Sequence, residues 1–196
     1  MKYLVEPITK DQISEVAKTH RESYPKDHLS GSLSQKLLEK YYSLFLSNDV
    51  VSIACLNQQK NNLLGFLFFG KDLPSKISQF KQKERVELFF YFIFKPKLLL
   101  KILLKKLKHS FQHSESFVEA SDIILSIAAR PDTKGVGTCL MEWAFEYCRH
   151  NQIKRLGLYV TCSNLVAINF YIKSGFIITG YIKGQYYMEK QLENKT

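Results

Sequence analysis

Between Ala129 and Asn151 the sequence reads ARPDTKGVGTCLMEWAFEYCRHN, with Gly135 and Gly137 standing where an apolar run gives way to an amphipathic helical pattern. The first turn of a helix carries backbone N–H groups that have no intrahelical acceptor, and it sits at the positive end of the macrodipole. Glycines let an anion approach those amides with no Cβ in the way. Lys134 adds a positive charge and Thr138 a hydroxyl donor, so Lys134, Gly135, Val136, Gly137 and Thr138 form a candidate pyrophosphate cradle. A plain tight connection between strand and helix accounts for the same residues. The stretch is not a P-loop, because the Gly-Lys-Ser/Thr order is missing. It is not the dinucleotide fingerprint either, because Leu140 stands where the last glycine belongs.

A second constellation follows in TCSNLVAINFYIKSGFIITG, where Asn164, Ala167, Tyr171, Gly175 and Phe176 spell N-x-x-A-x-x-x-Y-x-x-x-G-F. This spacing resembles a motif of the GNAT superfamily of N-acetyltransferases, and with ILSIAARPDTKGVGTCLMEWAFEYCR before it the resemblance runs from about Ser121 to Gly180. It implies an α/β (α+β) GNAT fold: a central, mixed, mostly antiparallel twisted sheet flanked by helices, with a V-shaped splay between the central strands. It also implies acetyl-coenzyme A (coenzyme A) as co-substrate and no metal. The pantetheine arm would fill the splay and bond the strand backbone at Ile127 and Ala129, and Lys134 to Thr138 would hold the pyrophosphate. Tyr171 would act as general acid toward the departing thiolate, since a phenol of ordinary pKa matches a thiol of comparable basicity. As a residue on an amphipathic helix, Tyr171 also reads as core. Asn164 would meet the pantetheine or cap its helix, a position Asn favours in any protein, and Phe176 reads as core packing. The family turn usually carries Gln or Arg three residues before the first glycine. Here Asp132 stands there, and the turn is about two residues short.

An amine acceptor is largely protonated near neutral pH, so attack on a thioester needs a proton sink. The strand DIILSIAA offers only Asp122 and Ser126. His20, Glu22, Tyr24 and His28 cluster where the family builds its acceptor pocket, so the candidate bases are His20, His28, Glu22 and Asp122. Each histidine also reads as an ordinary surface or hydrogen-bonded residue. The N-terminal HRESYPKDHLSGSLSQKLLEKYY is similar to a GNAT subgroup with a Phe/Tyr-Pro loop and a long second helix, found among surface-polysaccharide and amino-sugar enzymes. That likeness points to a small-molecule amine acceptor such as an amino sugar or a nucleotide-linked amino sugar.

The elements that must position these residues are legible in outline. YLVEPI reads as a first strand, and Thr9 with Gln12 as a capping box opening a helix that presents Ile13, Val16, Ala17 and His20 on one face. Leu37, Leu38, Tyr41, Leu44 and Phe45 mark a second helix. VVSIACLN and LLGFLFFG read as a hairpin. A helical insertion occupies about residues 72–118 within a single domain spanning 1–196. The pattern then predicts a strand at Ile123–Ala129, a helix at Gly137–His150, a strand at Arg155–Val160 and a helix at Asn164–Ser174. Two closing strands join through Lys183–Gly184.

Composition bounds the rest. Hydrophobic residues at 45% and aromatics at 13% describe a folded globule. The net charge of +10 is concentrated: Lys95–Lys108 holds six lysines and no acid, and without it the chain has 22 cations against 18 acids. No aromatic-basic or zinc-finger pattern points to nucleic acid. The lysine run reads as an amphipathic helix packed on the sheet or in a homodimer, as a membrane-surface contact, or as a recruiter of acidic substrate. Cys55, Cys139, Cys148 and Cys162 lack C-x-x-C spacing and read as reduced thiols. The N-terminus has no apolar signal core, and VELFFYFIF is shorter than the ~20 residues of a spanning helix. The chain is therefore expected in the cytoplasm. Two further readings are a coenzyme A-binding sensor without catalysis and a peripheral membrane-associated amino-sugar acetyltransferase.

Overall fold

A computed structural model describes residues 3–24, 30–59, 62–96, 100, 104 and 117–192. Strand β1 covers Leu4–Pro7. The Thr9 N–H then donates to Gln12 Oε1 at 3.0 Å and starts a short turn that leads into α1, Ile13–Ser23. The face expected from the sequence is the buried one, with Ile13, Val16, Ala17 and His20 all covered. Helix α2, Gln35–Ser43, is capped by Ser34, whose hydroxyl accepts from the Leu37 N–H at 3.2 Å. Here the expected face needs correction. Tyr42 is fully buried, and Tyr41 sits at the margin, its ring edge-on to Phe80.

Strands β2, Val50–Leu56, and β3, Leu63–Gly70, form the expected hairpin. Two helices follow, α3 at Leu73–Lys83 and α4 at Arg85–Ile93. The basic helix expected at Lys95–Lys108 lies mostly outside the described residues. The second half runs β4 (Asp122–Ala129), α5 (Val136–His150), β5 (Arg155–Thr161), α6 (Leu165–Lys173), β6 (Ile177–Ile182) and β7 (Gln185–Gln191). Helix α5 begins one residue earlier than its pattern predicted. The β6–β7 turn is Lys183–Gly184, both residues in the left-handed region at φ 48° and 78°, as a two-residue hairpin of this hand requires.

Among the described residues the strands order as β1-β2-β3-β4-β5-β7-β6, and only β4 and β5 run parallel. Helices cover both faces, which explains why β3 is an unbroken apolar run. Leu67 and Phe69 pack toward α5 and α6, while Phe66 and Phe68 pack toward α1 and α2.

The pairing of β4 decides the geometry of the site. On one side β4 follows β3 to Ala129, but the register slips between Phe68 and Phe69, opposite Ser126 and Ile124, leaving Leu125 as an extra residue. On the other side it pairs with β5 only at Asp122–Leu156, Ile123–Gly157 and Ile124–Leu158. A bulge bends its strand and sharpens the twist, and this one falls immediately after the last parallel pair. From there β4 stays with β3, while β5 stays with β7 along its whole length. The sheet therefore opens into a wedge between the C-terminal parts of β4 and β5.

The paired end of the wedge is tight. A Cβ on Gly157 would lie 2.5 Å from Tyr187 Oη and 2.8 Å from Ile123 Cδ1. That hydroxyl is held in place because it also accepts the Ala120 N–H at 2.6 Å. Gly157→Ala is expected to cost about 1–3 kcal/mol through overpacking, read as a lower urea midpoint with an unchanged m-value.

Candidate active site

The glycine turn lies at the mouth of the wedge. After Ala129 the Arg130 N–H returns to Leu64 O at 2.8 Å, and the Thr133 N–H and hydroxyl both donate to Arg130 O. Gly135 takes φ 80°, a conformation costly for any residue with a Cβ. The first bond of the α5 ladder runs from the Cys139 N–H to Gly135 O at 2.9 Å. The N–H groups of Val136, Gly137 and Thr138 thus precede the ladder, and the buried Val136 side chain pins the turn that presents them. The two glycines have different tasks. A Cβ on Gly135 would meet nothing nearer than Tyr3 Cε2 at 3.9 Å, whereas one on Gly137 would touch the Phe170 ring at 3.4 Å. Gly135 is needed for its backbone conformation and not for room, and Gly137 lets α6 come close.

The charges around this turn are divided. Lys134 and Thr138 are exposed, and the Lys134 carbonyl is held by the Tyr3 hydroxyl. Asp132 is also exposed in the turn. Arg130, absent from the sequence reading, ties the end of β4 to α1, with Nη2 2.7 Å from Glu15 Oε2 and Nε 4.0 Å from Glu22 Oε2. Glu22 therefore stands on the outer side of α1, engaged with that guanidinium.

Inside the wedge the β4 edge faces the gap. Because the Arg130 N–H points to β3, strand alternation turns the polar groups of Ala129 and Ile127 the other way. Their carbonyls are met by α1. Ser23 Oγ donates to Ala129 O at 2.8 Å, and the Tyr24 hydroxyl lies 3.4 Å from Ile127 O. The α1 terminus thus closes one side of the wedge.

A buried polar chain runs inward from there. The Tyr24 hydroxyl shares a hydrogen bond with Ser126 Oγ at 2.8 Å, Ser126 with the Tyr42 hydroxyl at 2.9 Å, and Tyr42 with His20 Nδ1 at 2.7 Å. The His20 ring stacks flat on Tyr24 at 3.9 Å. Tyr171 enters from α6 and is 9% exposed, its ring edge-on to Phe176. Burial pushes the Tyr171 hydroxyl well above the ordinary phenol value, and Tyr24 adds to the push, so the two phenols lie within electrostatic reach of each other. Tyr171 therefore keeps its proton more firmly than the sequence argument assumed.

The remaining candidates lie elsewhere. Asp122 is buried and accepts the Ser121 hydroxyl at 2.7 Å, but it starts β4, seven residues or roughly 23 Å of strand before Ala129. It lines a separate surface hollow of about 460 Å³ with Asn151, Lys154 and Arg155. His28 falls outside the described residues. Asn164 is a helix cap, its Oδ1 accepting the Ala167 N–H at 3.2 Å. The thiols of Cys55 and Cys148 are pushed up to about 12, mainly by burial. The sequence reading missed Tyr42 and Ser23, and it weighed Ser126 only as a base on the strand. A lone serine inside DIILSIAA was the available signal for a buried polar contact.

Residues 104–176 match the model of the acetyltransferase (GNAT) family. A curated relative, the uncharacterized protein YxbD of Bacillus subtilis (strain 168), is 40% identical over 60 residues, a stretch spanning 31% of this chain and 38% of that protein. Among solved structures, the PaiA N-acetyltransferase of Thermoplasma acidophilum in complex with coenzyme A superposes with a TM-score of 0.60 at 16% identity, covering 97% of this chain and 99% of that one. A spermidine N-acetyltransferase SpeG chimera from Vibrio cholerae and hSSAT gives 0.60 at 15% identity, with 98% and 96% covered. At these identities the shared property is the fold.

Tyr24, Tyr42 and Tyr171 all have hydroxyls raised above 10.0 by burial in the folded chain. The stability tied to them is whole below that value and is lost as the pH rises through it, because the unfolded chain sheds these protons first. The urea midpoint is expected to fall between about pH 8 and about pH 11. In Tyr42→Phe, which removes one of these groups, the fall should be smaller; an equal fall would show that Tyr42 does not contribute.

Proposed function

We propose that this chain, whose residues 104–176 match the acetyltransferase (GNAT) family, transfers an acetyl group from acetyl-coenzyme A to a primary amine of a small molecule, with both substrates bound together. The observation that supports this reading most directly is the junction of the wedge with the α5 start. Three amides ahead of the helical ladder follow a strand edge that β5 has left, beside a glycine whose Cβ would meet Tyr3 Cε2 at 3.9 Å without crowding. An extended chain ending in a pyrophosphate fits that arrangement, the phosphates taking the Val136, Gly137 and Thr138 amides with Lys134 alongside. The Ile127 and Ala129 edge would hold the pantetheine, chiefly through N–H groups, since hydroxyls of α1 already reach the carbonyls.

Acetyl-coenzyme A supplies the thioester whose C–S bond breaks as the amine nitrogen takes the acetyl group. Tyr171, protonated at neutral pH, donates a hydrogen bond to the sulfur and gives it a proton as it leaves, and the phenolate then recovers a proton from solvent. The proton lost by the amine passes to the Tyr24 hydroxyl and along Ser126 and Tyr42 to His20 Nδ1, each hydroxyl accepting one proton and handing on another. His20 is the base in this reading, acting through three hydroxyls. The likeness to a spermidine N-acetyltransferase supports a small amine as acceptor. An amino sugar or nucleotide-linked amino sugar is the form favoured by the N-terminal sequence.

Thiol release from acetyl-coenzyme A with a panel of polyamines and amino sugars tests this. Release should require amine, and Tyr171→Phe should lower turnover about 10²-fold or more while calorimetric affinity for coenzyme A stays unchanged. Gly135→Val, which forces a branched side chain onto a left-handed position, should weaken that affinity. Tight coenzyme A binding with no amine-dependent release would leave a sensor and overturn the enzymatic reading. Absence of binding would overturn both.

A further inference from the structure

Helix α4 has two opposite apolar faces. Leu88 and Tyr91 point inward and pack against the α1–α2 core. Val86, Phe89, Phe90 and Ile93, spaced as one helical stripe, point the other way and are 61%, 61%, 54% and 47% exposed, and Phe94 beyond them is 80% exposed. Five large apolar side chains together on one surface helix form a patch of the kind that marks an interaction site.

The charges around the stripe are of one sign. Lys81, Lys83 and Arg85 are exposed before it and Lys95 is exposed after it. The two acids of this stretch, Glu84 and Glu87, are both taken by Lys40 of α2. A second copy docking by this same face across a two-fold axis would set Lys83 and Arg85 against Lys95, cation against cation. An occupant with an apolar interior and a negative surface meets neither obstacle. The sequence beyond Lys95 carries five more lysines up to Lys108 and no acid, which extends the same preference.

We propose that the outer face of α4 seats on an anionic lipid surface. Val86, Phe89, Phe90, Ile93 and Phe94 enter the headgroup–acyl boundary, and Lys81, Lys83, Arg85 and Lys95 pair with lipid phosphates. The helix lies in the interface. Among the described residues no helix is long and apolar enough to cross a membrane. This surface is independent of the proposed acetyl transfer and does not depend on it.

Sedimentation with phosphatidylcholine vesicles, with and without phosphatidylglycerol, tests the proposal. The full chain should sediment only with the anionic vesicles and return to the supernatant at high salt. Lys83→Gln and Lys95→Gln should each weaken partitioning about five-fold. Phe89→Ser combined with Phe90→Ser should abolish it while the circular dichroism spectrum and thermal midpoint stay the same, since both rings already face solvent. Three results would overturn it: no sedimentation with anionic vesicles, equal sedimentation of the Phe89/Phe90 variant, or a dimer that this variant dissolves in a protein that ignores vesicles.

Discussion

The three-pair parallel ladder between β4 and β5 is the constraint on which the rest of the molecule depends. A ladder continued to the ends of both strands would leave the Ile127 and Ala129 edge satisfied by β5, with no gap to occupy. The ladder stops because Leu125 has no partner on β3, and the resulting bend carries β4 away from β5. Neighbouring elements then stabilise the opening. The Gly157–Ile123–Tyr187 contact clamps the closed end, and β7 holds β5 along its length. At the open end, hydroxyls from α1 meet carbonyls that would otherwise be exposed.

Features set by local chemistry were legible in the sequence. The Thr9–Gln12 contact, the Ile13–Val16–Ala17–His20 face, the Lys183–Gly184 turn and the Asn164 cap each depend on residues within about two helical turns of one another, and each lies where the pattern placed it. The glycine turn was legible for the same reason, although the two glycines proved to have different tasks. Features set by pairing between distant segments were not legible. DIILSIAA is apolar throughout, so nothing in it marks Leu125 as the residue that slips. The position of β7 between β5 and β6 likewise leaves no trace in periodicity.

The candidate site shows the same division. The donor-side positions fell together because one strand–turn–helix unit carries them. On the acceptor side the sequence left the arrangement open: Asp122 shares a strand with Ser126 yet sits near its other end, and the His20 imidazole meets Tyr42, a residue the helical pattern had passed over. The upward push on the Tyr171 hydroxyl was not legible for the same reason, because burial and Tyr24 both depend on the surroundings. At α4 the sequence showed a run of aromatic residues too short to span a membrane, and it did not show that the run is half turned outward.

The two walls of the wedge come from different parts of the chain. The turn at residues 130–138 and helix α6 form one wall, and the ends of α1 and α2 form the other, with Arg130 as a tie between them. The family match at residues 104–176 covers the first wall and stops short of the second. Substitutions in the N-terminal helices can therefore reshape the second wall and leave the glycine turn of the first intact, so the two walls are free to vary separately.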